Sequence, residues 1–377
     1  VRPASEVERR RLNDVFAELC AIPSVSGHER AVADRVAHDL RALGYEVVED
    51  GAASETGAEC GNLLARIPGR AERSVMLCAH LDTVPHAGVV EPVITDGGWE
   101  SAGDTILGAD NKAAVAMLLA LAHRTAVEGS PLGVELLFSV SEENGLNGAR
   151  VFDTSVLRSE HGYVFDHATP IGEIVVAGPT FYRLRAAFHG AAAHAGLRPE
   201  DGRSAILAAA KAITTIPQGR LDEETTANVG TIAGGDGVTN VIPEHCSFDA
   251  EARSLNEATV ERVIAAMVDR CYDAGNEPAC ECDVDVTVER VFSGYRHKPG
   301  EPGVVAAEAA LRACGYAPTR IVTGGGSDAN AFEANGFPCT NLANGTERPH
   351  QTAERVSQAA LEGMLDVTFA LLDELAE

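Results

Sequence analysis

Residues 74–85 read SVMLCAHLDTVP. Five apolar residues follow one another from Val75 to Ala79, with no polar residue between them. A strand covered on both faces needs such a run, because neither set of alternating side chains meets water. The run stops at His80, and Asp82 follows. Similar runs stand at NLLARI (62–67), VELLFSV (134–140) and GYVFD (162–166). Between the second and third of these four lies NKAAVAMLLALAHRTAVEG (111–129), apolar at helical spacing and closed by Gly129. Strand, helix and strand at this spacing predict a βαβ unit, hence an α/β domain built on a buried sheet.

On the N-terminal side the pattern predicts two helices. The second is expected to open at Ser26, with Glu29 three places on completing a capping box, and to close at Gly44. A strand at YEVVED (45–50) follows. Near Gly178 the character changes. TFYRLRAAFHG (180–190) alternates like a half-exposed strand, and GRSAILAAAKAITTI (202–216) is helical. TANVGTIAGG (226–235) and NVIPEHCSFDAEARS (240–254) predict two strands, NEATVERVIAAMVDRCYDAG (256–275) a helix, and CDVDVTVERVF (282–292) a strand. The order β-α-β-β-α-β is that of a ferredoxin-like domain. After about Ser293 the α/β pattern resumes, with a helix at GVVAAEAALRACG (303–315), strands at RIVTG (320–324) and PCTNLA (338–343), and a final helix from about Ala353. The expected organisation is a domain of residues 1–178 and 293–377 interrupted by a smaller one of residues 179–292.

The chain has 377 residues, 45% of them hydrophobic and 23% charged, with a formal net charge of -26. That balance argues against general binding to nucleic acid or anionic membranes. There is no apolar run long enough for a membrane span and no opening signal segment. Nine cysteines are scattered along the chain, and only Cys280 and Cys282 are close. They read as reduced thiols in a cytoplasmic protein.

Ligands of open α/β sheets bind beyond the carboxyl ends of the strands. His80 and Asp82 follow one strand, Glu142 and Glu143 another, and Asp166 and His167 a third. TILGADNK sets Asp110 just before the long helix, the loop GGGSD follows RIVT, and NGTERPH after PCTNLA ends in His350. Several carboxylates converge in ionised form only around a cation. A mixed histidine and carboxylate set suits zinc, cobalt or manganese, and this many donors exceeds one tetrahedral site. Taken singly, each residue has a plainer reading: His80 and Asp82 as a loop entry, Asp110 as a helix N-cap, Glu142 and Glu143 as a solvated turn.

The ordered set HLDTVP, GADNKAAVA, SEENGLNGA, VFD, GGGSDA and PHQTAE resembles the M20 family of dinuclear zinc exopeptidases and amidohydrolases, most of all its peptidase T-like, tripeptidase branch. The resemblance spans nearly the whole chain. It implies a zinc-exopeptidase α/β domain with an inserted ferredoxin-like lid, and two zinc ions per chain, with cobalt or manganese as substitutes. His80 and Asp166 would hold one ion, Glu143 and His350 the other, and Asp110 would bridge them. Asp82 would orient His80, and Glu142 would be the general base. The family often has a second acid after the bridging one; here Asn111 stands there. In the lid, His194 matches a residue that reaches an active site, often the partner subunit's, to stabilise an oxyanion. Asn240 and Arg253 match substrate-binding positions, although Arg253 also reads as a charge on a solvated strand. Gly325, Gly326 and Ser327 match a loop that meets a peptide end. That loop lacks the Lys-Ser/Thr of a phosphate-binding loop.

The implied activity is hydrolysis of a short peptide from one end by a homodimer paired through the lid. An N-acyl or N-carbamoyl amino acid amidohydrolase shares these motifs. A non-catalytic binding protein on the same fold is the alternative of another class, and the intact set of ligands with Glu142 weighs against it.

Overall fold

The computed structural model describes residues 2–377. They divide into two compact units. One takes in the chain up to Ala177 with Arg296–Thr323 and Ser327–Glu377; the other holds Gly178–Tyr295 and Gly324–Gly326. The three-residue return to the second unit was not expected from the sequence. A β-carbon built on Gly326 would lie 2.2 Å from Phe292 Cζ, so only glycine lets the backbone pass this close to the ring.

In the first unit the main sheet runs in space through Val47–Glu49, Leu63–Ile67, Gly133–Ser139, Ser74–His80, Gly162–His167, Cys339–Ala343 and Glu173–Gly178. Ser74–His80 is parallel to both of its neighbours, and Gly162–His167 is parallel to Cys339–Ala343. Four strands therefore end on the same edge. The register sets His80 beside Ser139, and Cys78 beside Val164. Every residue of Gly133–Ser139 is buried, as are Val75–His80. Phe138, Leu77, Leu136 and Tyr163 are fully enclosed, each such side chain contributing about 1.5–3 kcal/mol through burial. The helices Glu6–Cys20, Ala109–Glu128 and Gln358–Ala376 bury faces in the same core.

Three local expectations are corrected. The helix Arg30–Ala42 has no capping box. Ser26 Oγ donates instead to Asp82 Oδ2 at 2.6 Å, and Glu29, fully buried, accepts from Gly27 N and Ser141 N. The last helix starts at Gln358, not near Ala353. Arg355–Ser357 is a strand first, because Val356 is buried against Trp99 in the antiparallel pairing with Gly98–Ser101. That partner belongs to a hairpin, Pro92–Thr95 with Gly98–Ser101, which the pattern reading passed over. Asp96 and Gly97 both have positive φ at its tip, the Asp-Gly signature of a tight hairpin. Third, Asp110 stands just before the regular helix, since it and Asn111 are non-helical, but its carboxylate faces His80 and His350 instead of capping.

The second unit is an antiparallel sheet in the order Thr225–Gly234, His245–Ser254, Thr180–His189, Asp283–Phe292, extended by Gly219–Arg220. The helices Ala205–Thr215 and Glu257–Asn276 cover one face, closing a core around Phe188, Phe248 and Met267. This is the ferredoxin-like order.

Candidate metal centre

The parallel strands deliver their side chains to one place. His80 Nε2 lies 3.5 Å from Asp110 Oδ1 and 3.3 Å from Asp166 Oδ1. His350 Nε2 lies 3.4 Å from Asp110 Oδ2 and 3.0 Å from Glu143 Oε1. Two groups of donors result, His80 with Asp110 and Asp166, and His350 with Asp110 and Glu143; in each, one atom per residue falls within 4.8 Å of the others. Asp110 is common to both, with a different oxygen toward each imidazole. Glu142 stands beside them, within the same distance of His80 and Glu143. Asp110 owes its position to a break from helical geometry, with φ of -84° and ψ of 102°.

The charges are unbalanced. Burial pushes the Glu142 carboxyl well above its ordinary value, and the nearby charge of Asp166 adds to this. Asp166 is pushed well up by burial in the same way. Burial opposes charge on Asp110, but His350 and His80 outweigh it and hold the carboxyl low. Asp110 and Glu143 raise His350 to about 10. Two imidazoles thus face four carboxylates. Apart from the imidazoles that face them, Asp110 Oδ1 and Glu143 Oε1 are buried without a hydrogen-bond partner. Unmet oxygens, imidazole nitrogens and no thiolate form a donor set that fits divalent cations of the zinc, cobalt and manganese kind.

Around the donors lies a layer of main-chain anchors. His80 Nδ1 is 3.0 Å from the Asp82 carbonyl oxygen and 3.3 Å from its carboxylate. The Asp82 carboxylate also accepts from Glu142 N at 3.0 Å and Glu143 N at 3.1 Å, so one acid orients the ring and holds the turn that carries both glutamates. Glu29 holds the preceding amide, that of Ser141, whose φ is positive. Beneath His80, Asp328 accepts from Ser139 Oγ and from Cys78 Sγ at 3.8 Å; burial raises its carboxyl to about 6. Glu354 accepts from the amides of Leu107, Gly108 and Asp110. The donors stand out in the sequence pattern, whereas Glu29, Asp328 and Glu354 carry no such mark as supports. His167 turns out to serve through its carbonyl, which accepts from Asn344 N at 2.9 Å.

Comparison with known proteins gives the same answer from outside the site. Residues 178–277 match the Peptidase dimerisation domain of the M20 type, and residues 62–166 match Peptidase family M28. The uncharacterized protein YqjE of Bacillus subtilis is 36% identical, over 98% of this chain and 100% of its own. The crystal structure of aminopeptidase PepT from Bacillus cereus is 35% identical, covers 98% of this chain and 99% of its own, and superposes with a TM-score of 0.85. A tripeptidase from Staphylococcus aureus is 33% identical, covers 98% of each chain, and reaches a TM-score of 0.90. Full-length likeness with the dimerisation domain in place decides between the two family labels. The chain belongs to the M20 peptidase family, in its peptidase T branch. It is a metallo-exopeptidase.

The remaining expected positions of this M20 peptidase are distributed differently. His194 and Asn240 are exposed and sit together: Ala193–His194 pairs with Val241–Ile242, and Ala195 N donates to Asn240 O at 2.9 Å. Arg253 lies apart from them. It is paired through Nε and Nη2 with Glu251, both at 3.1 Å, and stacks 4.3 Å from the Phe181 ring centre. Glu251, two places away on the same strand face, supplies its partner. Ser327 is buried, its amide donating to Asn330 Oδ1 and its hydroxyl accepting from Asn341 Nδ2 at 3.1 Å. Its hydroxyl is thus engaged inside the protein rather than offered to a peptide end.

Proposed function

We propose that this M20 peptidase removes a terminal residue from short peptides, tripeptides above all, with two zinc ions per chain. One observation carries the reading. A single carboxylate, Asp110, presents one oxygen to His80 and the other to His350, while Glu142 belongs to neither Asp110-centred group. His80 and Asp166 would hold one ion, His350 and Glu143 the second, and Asp110 both. When bound, the pair supplies Lewis acidity toward the scissile carbonyl and makes the attacking water more acidic.

The chain's own groups do the rest. Glu142 takes a proton from water as its oxygen bonds to the carbonyl carbon. It then gives that proton to the peptide nitrogen as the carbon–nitrogen bond breaks. Asp82 keeps Glu142 in place through its amide.

His194 and Asn240 would act on the bound substrate from a lid, and Arg253 would hold a peptide carboxylate, exchanging Glu251 for it. Gly325 and Gly326 would meet a peptide end through their backbone. The lid's geometry supports a homodimer. Arg253 pairs with Phe181 and His245 with His189, at opposite ends of the same two strands, about 27 Å apart at ~3.4 Å per residue. The His194 ribbon adjoins the His245 end, where Gly190 N donates to Glu244 O. Two such distant groups serve one small substrate when they come from different copies. Mixing Glu142→Gln chains with His194→Ala chains should then restore activity that neither has alone. Mixtures as inactive as their parents under exchanging conditions would remove the cross-subunit role. The nine unpaired cysteines support a cytoplasmic setting.

A substrate panel tests the whole reading. Protein stripped with a chelator and reloaded with zinc, cobalt or manganese should cleave tripeptides with a free amino end fastest. Faster turnover of N-acyl or N-carbamoyl amino acids would move the assignment to an amidohydrolase. No turnover with any metal would leave a binding protein.

A further inference from the structure

Glu354 is an acid that the reaction does not use, yet it is 1% exposed. Its hydrogen-bond partners are main-chain N–H groups. One oxygen accepts from Leu107 N at 2.9 Å and Gly108 N at 2.8 Å, and the other from Asp110 N at 2.9 Å. These amides belong to the turn that leads into the long helix, where Asp110 and Asn111 depart from helical geometry. N–H groups buried in such a turn have no acceptor within it and need one from elsewhere in the fold. Here the missing acceptor arrives from 244 residues further along the chain.

That acceptor is itself anchored. Glu354 N donates to Gln351 O at 3.0 Å, which closes a turn directly after His350. Arg355 then enters the strand paired with Gly98–Ser101. One carboxylate therefore joins the segment that carries Asp110 to the segment that carries His350. Their facing atoms, Asp110 Oδ2 and His350 Nε2, are 3.4 Å apart.

We propose that Glu354 is the positioning residue of the metal centre, gripping the Asp110 turn from the His350 segment so that the shared carboxylate and the second imidazole are set as one unit toward divalent cations. The inference rests on the two-ion reading above. It separates ligand placement from general stability, and Glu135 provides the contrast. Glu135 is 2% exposed and likewise holds amides, those of Arg158 and Ser159. It lies near the start of Gly133–Ser139, at the other end of that strand from Glu142.

The experiment compares wild type, Glu354→Gln, Glu354→Asp and Glu135→Gln as full-length chains. Glutamine keeps the size but sets an NH2 against an N–H; aspartate keeps the charge but withdraws it. Each apo-protein is titrated with cobalt(II), followed by calorimetry and visible absorption, and its melting temperature is measured. Both Glu354 variants should bind cobalt roughly 10–100-fold more weakly, show an altered cobalt spectrum, and lose kcat at saturating metal with KM little changed. Glu135→Gln should lower the melting temperature and keep the wild-type isotherm and spectrum. Wild-type cobalt affinity and spectrum in whichever Glu354 variants fold would overturn the inference, as would equal weakening in Glu135→Gln. Failure of the wild type itself to bind cobalt would instead overturn the two-ion reading.

Discussion

Glu142→Gln should keep both metal ions and lower kcat roughly 10²–10⁴-fold, the usual contribution of a positioned base. The substitution preserves volume at a site that is only 7% exposed. The anchor of the turn also survives, because Asp82 holds the main-chain amide of residue 142 and not its side chain. Glu142 is not needed to complete either donor group around Asp110, so metal content measured by elemental analysis should stay at two per chain. What disappears is the group that accepts and returns a proton. KM should change little, since the loss falls on the chemical step. A variant that lost an ion along with its activity would make Glu142 a ligand, and one with wild-type turnover would leave the base to be found elsewhere.

Asp110→Ala is expected to act on both ions at once. Its two oxygens face His80 and His350 at 3.5 and 3.4 Å, so truncation takes one donor from each group. The remaining acids are drawn into a space that loses its shared centre. Affinity for the first and second ion should both fall by more than about 100-fold, beyond what loss of an outer supporting partner costs, and peptide hydrolysis should vanish at micromolar zinc. His350→Ala offers the comparison, since it touches one group alone and should leave one tight ion. Stepwise zinc titration by calorimetry separates the cases. An Asp110→Ala chain that retained one tight ion would show that the two groups do not share it.

His80, Glu142, Glu143 and Asp166 were legible because they stand where apolar runs stop, and runs of buried strands are visible in a sequence, whereas Asp110 and His350 were legible only within the family's ordered motifs. His80 after Val75–Ala79 and Glu142 after Val134–Val140 are of this kind. Their supports were not legible. Glu29 holds an amide 112 positions away and Glu354 amides more than 240 away, and a main-chain N–H leaves no mark on the residue pattern. The local signal at Ser26 even pointed the wrong way, because a partner 56 residues distant took the hydroxyl that a capping box would have used. Trp99 and Val356 show the same limit, since a strand of three residues becomes visible only with the hairpin it joins. Arg253 was read for its charge, while Glu251 and Phe181 gave it a resting place.

The chain's brief return to the second unit at Gly324–Gly326 bears on any attempt to exchange lids between relatives. A chimaera cut at the continuous boundaries, residues 178 and 295, would carry Phe292 across but leave behind the glycine on which its ring rests. The insert is therefore not a self-contained cassette. A workable transplant takes three separated residues with it, and specificity exchanged by the simple cut would come with a foreign ring on a native loop.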